Sequence, residues 1–146
     1  MNLKIKRLDV QNSDRAKLAH KLEKILKDCY GRSPWSEAYL MKNLKTDTYF
    51  LAEAEGELVG FLSVQLIMGD MEITNLAVKP EFQSKKIASA LMEQVKDFSG
   101  TIFLEVRESN IPAQNLYQKY NFEKFHTRKN YYSHPTEDAI LMRKIQ

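Results

Sequence analysis

Cysteine is almost missing from this chain. The single residue, Cys29, excludes an internal disulfide framework and a Cys-rich zinc cluster. Its spacing from Leu26 reads as helix core rather than as a nucleophile. Glycine (5) and proline (4) are sparse, and no Pro/Gly/Ser-rich linker, internal repeat or low-complexity tract divides the sequence. No apolar run reaches the roughly 18 residues that a membrane span needs. The opening Met1-Asn2-Leu3-Lys4-Ile5-Lys6-Arg7 lacks the apolar stretch of a signal peptide, so cytoplasmic residence with no membrane partner is expected. His20, His126 and His134 are scattered without ligand spacing, so no metal is expected. A net charge of +3 is too small for a basic nucleic-acid face, and no nucleic-acid partner is expected. Neither Gly-x-x-x-x-Gly-Lys-Ser/Thr nor Gly-x-Gly-x-x-Gly occurs, which removes the P-loop and dinucleotide fingerprints.

What is present is ordinary globular chemistry. The 146 residues, 43% hydrophobic and 28% charged, suit one domain, expected to run from residue 1 to 146. Leu3, Ile5 and Arg7-Leu8 alternate as a first strand. Asn12 or Ser13 is the expected cap of a helix carrying Leu18, Leu22, Ile25, Leu26 and Cys29 on one stripe, ended by Gly31. Ser36 follows a Ser33-Pro34-Trp35 loop and is the expected cap of a short helix through Leu40, Met41 and Leu44. Strands are expected over Thr48 to Ala54 and Leu58 to Leu66, joined by Glu55-Gly56-Glu57. After a Gly69-Asp70 turn, Met71 to Val78 reads as a further strand. A helix is expected from Ile87 through Val95 and Phe98, closed by Ser99-Gly100. Thr101 to Val106 reads as a strand, followed by a helix seeded by Asn110 with Pro112 in its first turn. Strands around Phe122-Phe125 and Ala139-Met142 complete an α+β domain with helices packed on a mixed sheet.

Two stretches could carry chemistry. The first is the turn after Val78, where a helix start brings unpaired N–H groups and positive dipole next to Lys85 and Lys86. That combination suits a pyrophosphate, and it equally suits a solvated, basic helix start. The second is Leu104-Glu105-Val106-Arg107-Glu108-Ser109-Asn110, with Tyr117 further along the next helix. A carboxylate at the end of a central strand can be partly desolvated and serve as a base. The alternating strand also allows Glu105 to face solvent and Tyr117 to lie in the core, and both readings stand open.

Taken in order, several segments resemble the GNAT family of acyl-CoA-dependent N-acetyltransferases, and among them the bacterial ribosomal-protein-alanine N-acetyltransferases. These are Ser33 to Glu37, Asn75 to Gln83, Leu104 to Asn110, Ala113 to Phe122, Arg128 to Tyr132 and Glu137 to Met142, which together span nearly the whole chain. The resemblance implies a mostly antiparallel mixed sheet of about seven strands with about four helices on both faces, splayed in a V between the two central strands. It implies acetyl-CoA as cosubstrate and no metal. Backbone groups of Leu76, Ala77 and Val78 would pair with the pantetheine arm, and the Val78 N–H would polarise the thioester carbonyl. Gln83, Ser84, Lys85, Lys86, Ile87, Ala88 and Ser89 would wrap the pyrophosphate, and Asn110 and Tyr117 would also contact the cofactor.

Glu105 would then be the base and Tyr117 the acid of a direct transfer. Trp35, Glu105, Tyr131 and Tyr132 would contact the acceptor, although Trp35 and the Tyr131-Tyr132 pair also suit plain packing. The implied acceptor is the N-terminal α-amine of a ribosomal protein, the N-terminal alanine of ribosomal protein S18, modified by a monomer or weak homodimer. The family loop reads Gln/Arg-x-x-Gly-x-Gly/Ala, and Lys86 stands here at its first glycine. Transfer to a small amine or another protein, or a catalytically weak CoA-binding module, are the competing readings.

Overall fold

The computed structural model describes residues 1–9, 11 and 14–145. Its strand order is β1-β2-β3-β4-β5-β7-β6 in one seven-stranded sheet. The strands are β1 (Leu3–Arg7), β2 (Thr48–Ala54), β3 (Glu57–Ile67), β4 (Asp70–Val78), β5 (Thr101–Arg107), β6 (Glu123–Tyr132) and β7 (Glu137–Ile145). The helices are α1 (Arg15–Tyr30), α2 (Glu37–Thr46), α3 (Ile87–Met92) and α4 (Ile111–Lys119), with a 3-10 turn at Pro80–Phe82. The β4–β5 pair is parallel, whereas β1–β2, β2–β3, β5–β7 and β6–β7 are antiparallel. Among the described residues, no helix is long and apolar enough to cross a membrane.

The chain forms two compact units, Met1–Gln65 with Asn75–Val95, and Leu66–Thr74 with Lys96–Gln146. In the first, α1 buries Ala19, Leu22, Ile25 and Leu26, and α2 buries Leu40 and Leu44. These side chains meet Tyr49, Leu51, Leu58, Phe61 and Ala77 in one apolar cluster. Each fully buried Leu or Ile contributes about 1.5–3 kcal/mol relative to exposure, so the α1 stripe helps to anchor this unit. The expected caps Asn12 and Ser13 lie outside the described residues. Asp14 caps α1 by accepting the Lys17 N–H at 3.1 Å. Gly31 ends the helix at φ 76, as expected, and Ser36 caps α2.

The expected long helix from Ile87 to Phe98 is only Ile87–Met92. Beyond it, Gln94 and Val95 donate to the carbonyls of Leu91 and Met92, three residues back. The chain therefore tightens into successive turns, and Val95 stays buried without belonging to α3. The second hairpin turn is Met68-Gly69 rather than Gly69-Asp70. Asp70 opens β4, where its carboxylate accepts the Thr101 N–H at 3.1 Å.

In the second unit, Met71, Ile73, Ile102, Leu104, Val106, Phe122, Ala139, Ile140 and Met142 are buried. Both closing strands run longer than the sequence suggested, and Phe122 precedes β6 instead of starting it. Their apolar content is confined to short stretches. Ladder hydrogen bonding carries the polar flanks of β6 and β7 into the sheet, from Glu123↔Arg143 to Tyr132↔Glu137.

One buried group is unfavourably placed. Asp47 ends α2 at the negative pole of the helix and is 8% exposed. Its Oδ2 has no hydrogen-bond partner among the described residues. Burial raises its carboxyl above the ordinary range, against hydrogen bonds from Asn43 and Thr46. A raised folded-state value penalises the ionised fold. The penalty is absent below the ordinary aspartate value of about 3.9 and grows as pH rises through the folded value. Asp47→Asn is expected to stabilise the protein at pH 7.5 by about 1 kcal/mol. Urea unfolding should show the gain shrinking toward pH 4.

Candidate active site

The residues singled out above fall into two groups, one in each unit. The first surrounds the end of β4. A methyl placed on Gly60 would stand 2.9 Å from the Ala77 carbonyl oxygen, so β3 and β4 approach closely only because that residue is glycine. One peptide further, the Lys79 N–H donates to the Val59 carbonyl at 2.8 Å. A trans peptide aims its C=O and N–H in opposite directions. With the Ala77 carbonyl and the Lys79 N–H both turned toward β3, the Val78 N–H and the Val78 carbonyl point away from it. The carbonyl accepts Gln83 Nε2 at 3.0 Å and the Cys29 thiol at 3.1 Å. Burial holds that thiol above the ordinary cysteine range and so protonated. Cys29 therefore packs half-buried against the apolar cluster, as expected, and also serves as a donor.

The loop that follows departs from ordinary backbone. Ser84 and Lys86 both have φ 64, and Lys86 opens α3 in the left-handed region at ψ 19. The substituted glycine position thus keeps a glycine-like conformation, with the lysine side chain exposed. Lys85 is also exposed and sits over the Phe82 ring at 5.6 Å. Ile87 is 1% exposed, so its side chain is core and only its backbone is left for a ligand. Leu76 is half-buried, and Ala77 and Val78 are buried. Left-handed backbone costs a β-carbon-bearing residue about 1–2 kcal/mol, and glycine loses about 0.5–1 kcal/mol of that advantage to chain entropy. Lys86→Gly is expected to raise the urea midpoint by a net stabilisation of up to about 1 kcal/mol.

Trp35 also belongs to this unit. It packs half-buried against the apolar cluster, tilted on Tyr39 with ring centroids 5.1 Å apart. Its carbonyl accepts the Ser33 hydroxyl.

The second group lies on β5 and the β6–β7 hairpin. The strand alternates, with Ile102, Leu104 and Val106 buried and Phe103, Glu105 and Arg107 half-buried on the other face. The Glu105 side chain is 28% exposed, and its Oε1 lies 3.6 Å from Arg128 Nη1. The Tyr131 phenol donates to the same carboxylate, and this bond, with burial, holds the phenol above its ordinary range. Arg128 also covers the Tyr131 ring at 4.9 Å. Glu105, Arg128 and Tyr131 therefore form one cluster, with a carboxylate as its acceptor.

Arg107 shares the Glu105 face and anchors the hairpin loop. Its Nη1 donates to the Pro135 carbonyl at 3.0 Å and to Glu137 at 3.1 Å, and its Nη2 donates to the Ser133 carbonyl at 3.1 Å. Its guanidinium also lies 4.5 Å from the Tyr132 ring centre. Glu137 accepts the Ser109 N–H at 2.6 Å. Hydrogen bonds from Ser109, then Arg107, hold its carboxyl below the usual range.

Of the expected acceptor-contacting tyrosines, Tyr131 reaches Glu105, whereas Tyr132 packs beneath Arg107 and edge-on to Tyr131. Asn110 caps α4 by accepting the Ala113 N–H at 3.2 Å, so its side-chain oxygen is already engaged. Tyr117 is buried on α4, 5.8 Å from the Phe122 ring. Sequence reading assigned no role to Arg107, Arg128 or Glu137. Arg107 was legible in principle, two positions from Glu105 and so on the same strand face. Arg128 was not, because its approach depends on the register across β6, β7 and β5. Among the described residues, no group of three or more His, Cys, Asp or Glu is arranged to hold a metal ion.

The profile of the acetyltransferase (GNAT) family matches residues 19–122. The [ribosomal protein bS18]-alanine N-acetyltransferase of Haemophilus ducreyi is 36% identical over 118 residues, covering 75% of this chain and 81% of that protein. Its namesake from Escherichia coli is 34% identical over 120 residues, covering 75% and 79%. The crystal structure of the ribosomal-protein-S18-alanine N-acetyltransferase from Escherichia coli superposes with a TM-score of 0.82 at 27% identity, over 97% of this chain and 92% of that one. Ard1 from Thermoplasma volcanium shares the fold, with a TM-score of 0.85 at 22% identity over 98% and 97% of the two chains. With a family profile over most of its length and relatives above 30% identity, the chain belongs to the GNAT acetyltransferase family.

Proposed function

We propose that this acetyltransferase moves the acetyl group of acetyl-CoA to the N-terminal α-amine of an alanine-starting ribosomal protein, bS18, by direct transfer. One observation carries the acceptor: two relatives above 30% identity are named for that alanine. The roles of the side chains follow from their chemistry. An α-amine with an ordinary value near 8 is mostly protonated at neutral pH and must lose a proton before it can attack. Glu105, a carboxylate with one oxygen facing Arg128, takes that proton directly or through a water. The Val78 N–H, turned away from β3, donates to the thioester oxygen as charge develops there. Donors fixed in advance are worth about 3–4 kcal/mol at such an oxygen. The Tyr117 O–H supplies the proton that the departing thiolate takes up.

Backbone N–H groups from Ser84 to Ser89, with the exposed ammonium groups of Lys85 and Lys86, hold the pyrophosphate, while the Gln83 N–H is given to the Pro80 carbonyl. The left-handed backbone at Lys86 supports this reading, since the loop keeps its turn without the glycine. The pantetheine arm pairs with Leu76, and the Val78 N–H meets its thioester end. Trp35 and Tyr131 contact the acceptor. A peptide beginning with alanine, incubated with acetyl-CoA, should gain one acetyl group at its α-amine by mass spectrometry. The same peptide with a blocked amine, and a panel of polyamines and aminoglycosides, should gain none. Acetylation of the small amines instead would replace this acceptor.

A further inference from the structure

The Val78 peptide is gripped more firmly than the end of a strand requires. Gln83 Nε2 and the Cys29 thiol both donate to its carbonyl, at 3.0 and 3.1 Å. Val59 takes the Lys79 N–H on the opposite side of the same planar unit. Gly60, by lacking a Cβ, lets the Ala77 carbonyl of the preceding unit come close to β3. The three hydrogen bonds after Val78 and the close approach of Gly60 before it together restrict the torsions of that residue, and with them the direction of its N–H. Strand pairing supplies the Val59 contact, but nothing in sheet formation calls for two side-chain donors on the outward carbonyl. Gln83 comes from the loop after the 3-10 turn and Cys29 from the last turn of α1, so two separate elements converge on one oxygen. Both donors are neutral, so they orient the peptide without adding charge.

We propose that Gln83 and Cys29 are positioning residues that hold the Val78 N–H in the direction it needs to meet the thioester oxygen. Gln83 therefore acts from inside the loop through its side chain, its backbone N–H being given to the Pro80 carbonyl. The inference rests on the reading of Val78 as that donor. A pre-set donor pays no reorganisation as charge develops, so loosening it slows the acetyl step without touching the affinity for free CoA, which has no acetyl oxygen.

The test uses the full chain in four forms: Gln83→Leu, Cys29→Ala, the double variant, and Cys29→Ser, which keeps a donor. Each single loss should lower kcat about threefold, and the double should lower it more than the product of the two. Cys29→Ser should stay within about twofold of the parent, the Kd for CoA should hold throughout, and the Tm should fall only where the buried Val78 carbonyl loses a donor. In parallel, the Val78 amide resonance of labelled protein is followed as acetyl-CoA is added. It should shift in the parent and in Cys29→Ser, and shift less in the double variant. A parent amide that ignores acetyl-CoA overturns the donor reading and this inference together. An equal shift and equal kcat in parent and double variant overturns the positioning role alone. Parallel losses of kcat and CoA affinity overturn it as well, since they mark a merely structural role.

Discussion

Glu105→Gln is expected to lower kcat on an alanine-starting peptide by about 10²–10³-fold at pH 6.5, the usual worth of a positioned base. Glutamine keeps an oxygen to accept the Tyr131 phenol but cannot take a proton from the attacking amine. The size of the loss depends on pH in a definite direction. Below the amine's ordinary value near 8 nearly all acceptor is ammonium and the base is needed on every turnover. Above it the free amine accumulates without help, so the gap between variant and parent should narrow as pH rises from 6.5 to 9. A pH–rate profile on both proteins reads this directly. A constant ratio across the range would leave Glu105 as a binding group for the amine and remove it as the base.

Tyr117→Phe is expected to lower kcat by about tenfold while the Kd for acetyl-CoA stays within twofold. The effect is smaller than for Glu105 because the leaving group is a thiol with an ordinary value near 8.5, which departs without full protonation. Loss of the hydroxyl leaves the ring against Phe122, so the packing of α4 should persist and the Tm should move little. A chain of acyl-CoA analogues with more basic leaving groups should widen the deficit. If the deficit is the same for every leaving group, Tyr117 acts on something other than the departing sulfur.

The two roles differ in how they could be read. Glu105 was legible because an acid interrupts an apolar strand, and the structure bears out the alternation around it. What that acid touches was not legible. Arg128 and Tyr131 sit more than twenty positions away in the chain, and they reach Glu105 only through the β6–β7 register, which is shifted between Lys124 and His126 and again between Arg128 and Tyr132. A bulge of one residue reverses which face a side chain takes, so no pattern in the sequence could have paired them. Asn110 shows the opposite case. Its place before Ile111-Pro112 announced a helix cap, and the structure uses it as one, while the role the family implies for it is a separate matter of ligand contact.

The sequence alone determined the elements and their order. Helical spacing in Leu18, Leu22, Ile25 and Leu26, strand alternation in Thr101 to Arg107, and the cap chemistry of Ser36 and Asn110 are local properties that act within a few residues. It also determined, through Lys86, where the loop departs from its family. Tertiary structure decided the rest: that Lys86 still takes the left-handed backbone, that α3 stops at Met92, and that Gln83 and Cys29 meet on the Val78 carbonyl. The physical reason is range. Hydrogen bonds and close packing between residues distant in the chain depend on the register and approach of whole elements, and those are set by burial of the core rather than by any neighbouring residue.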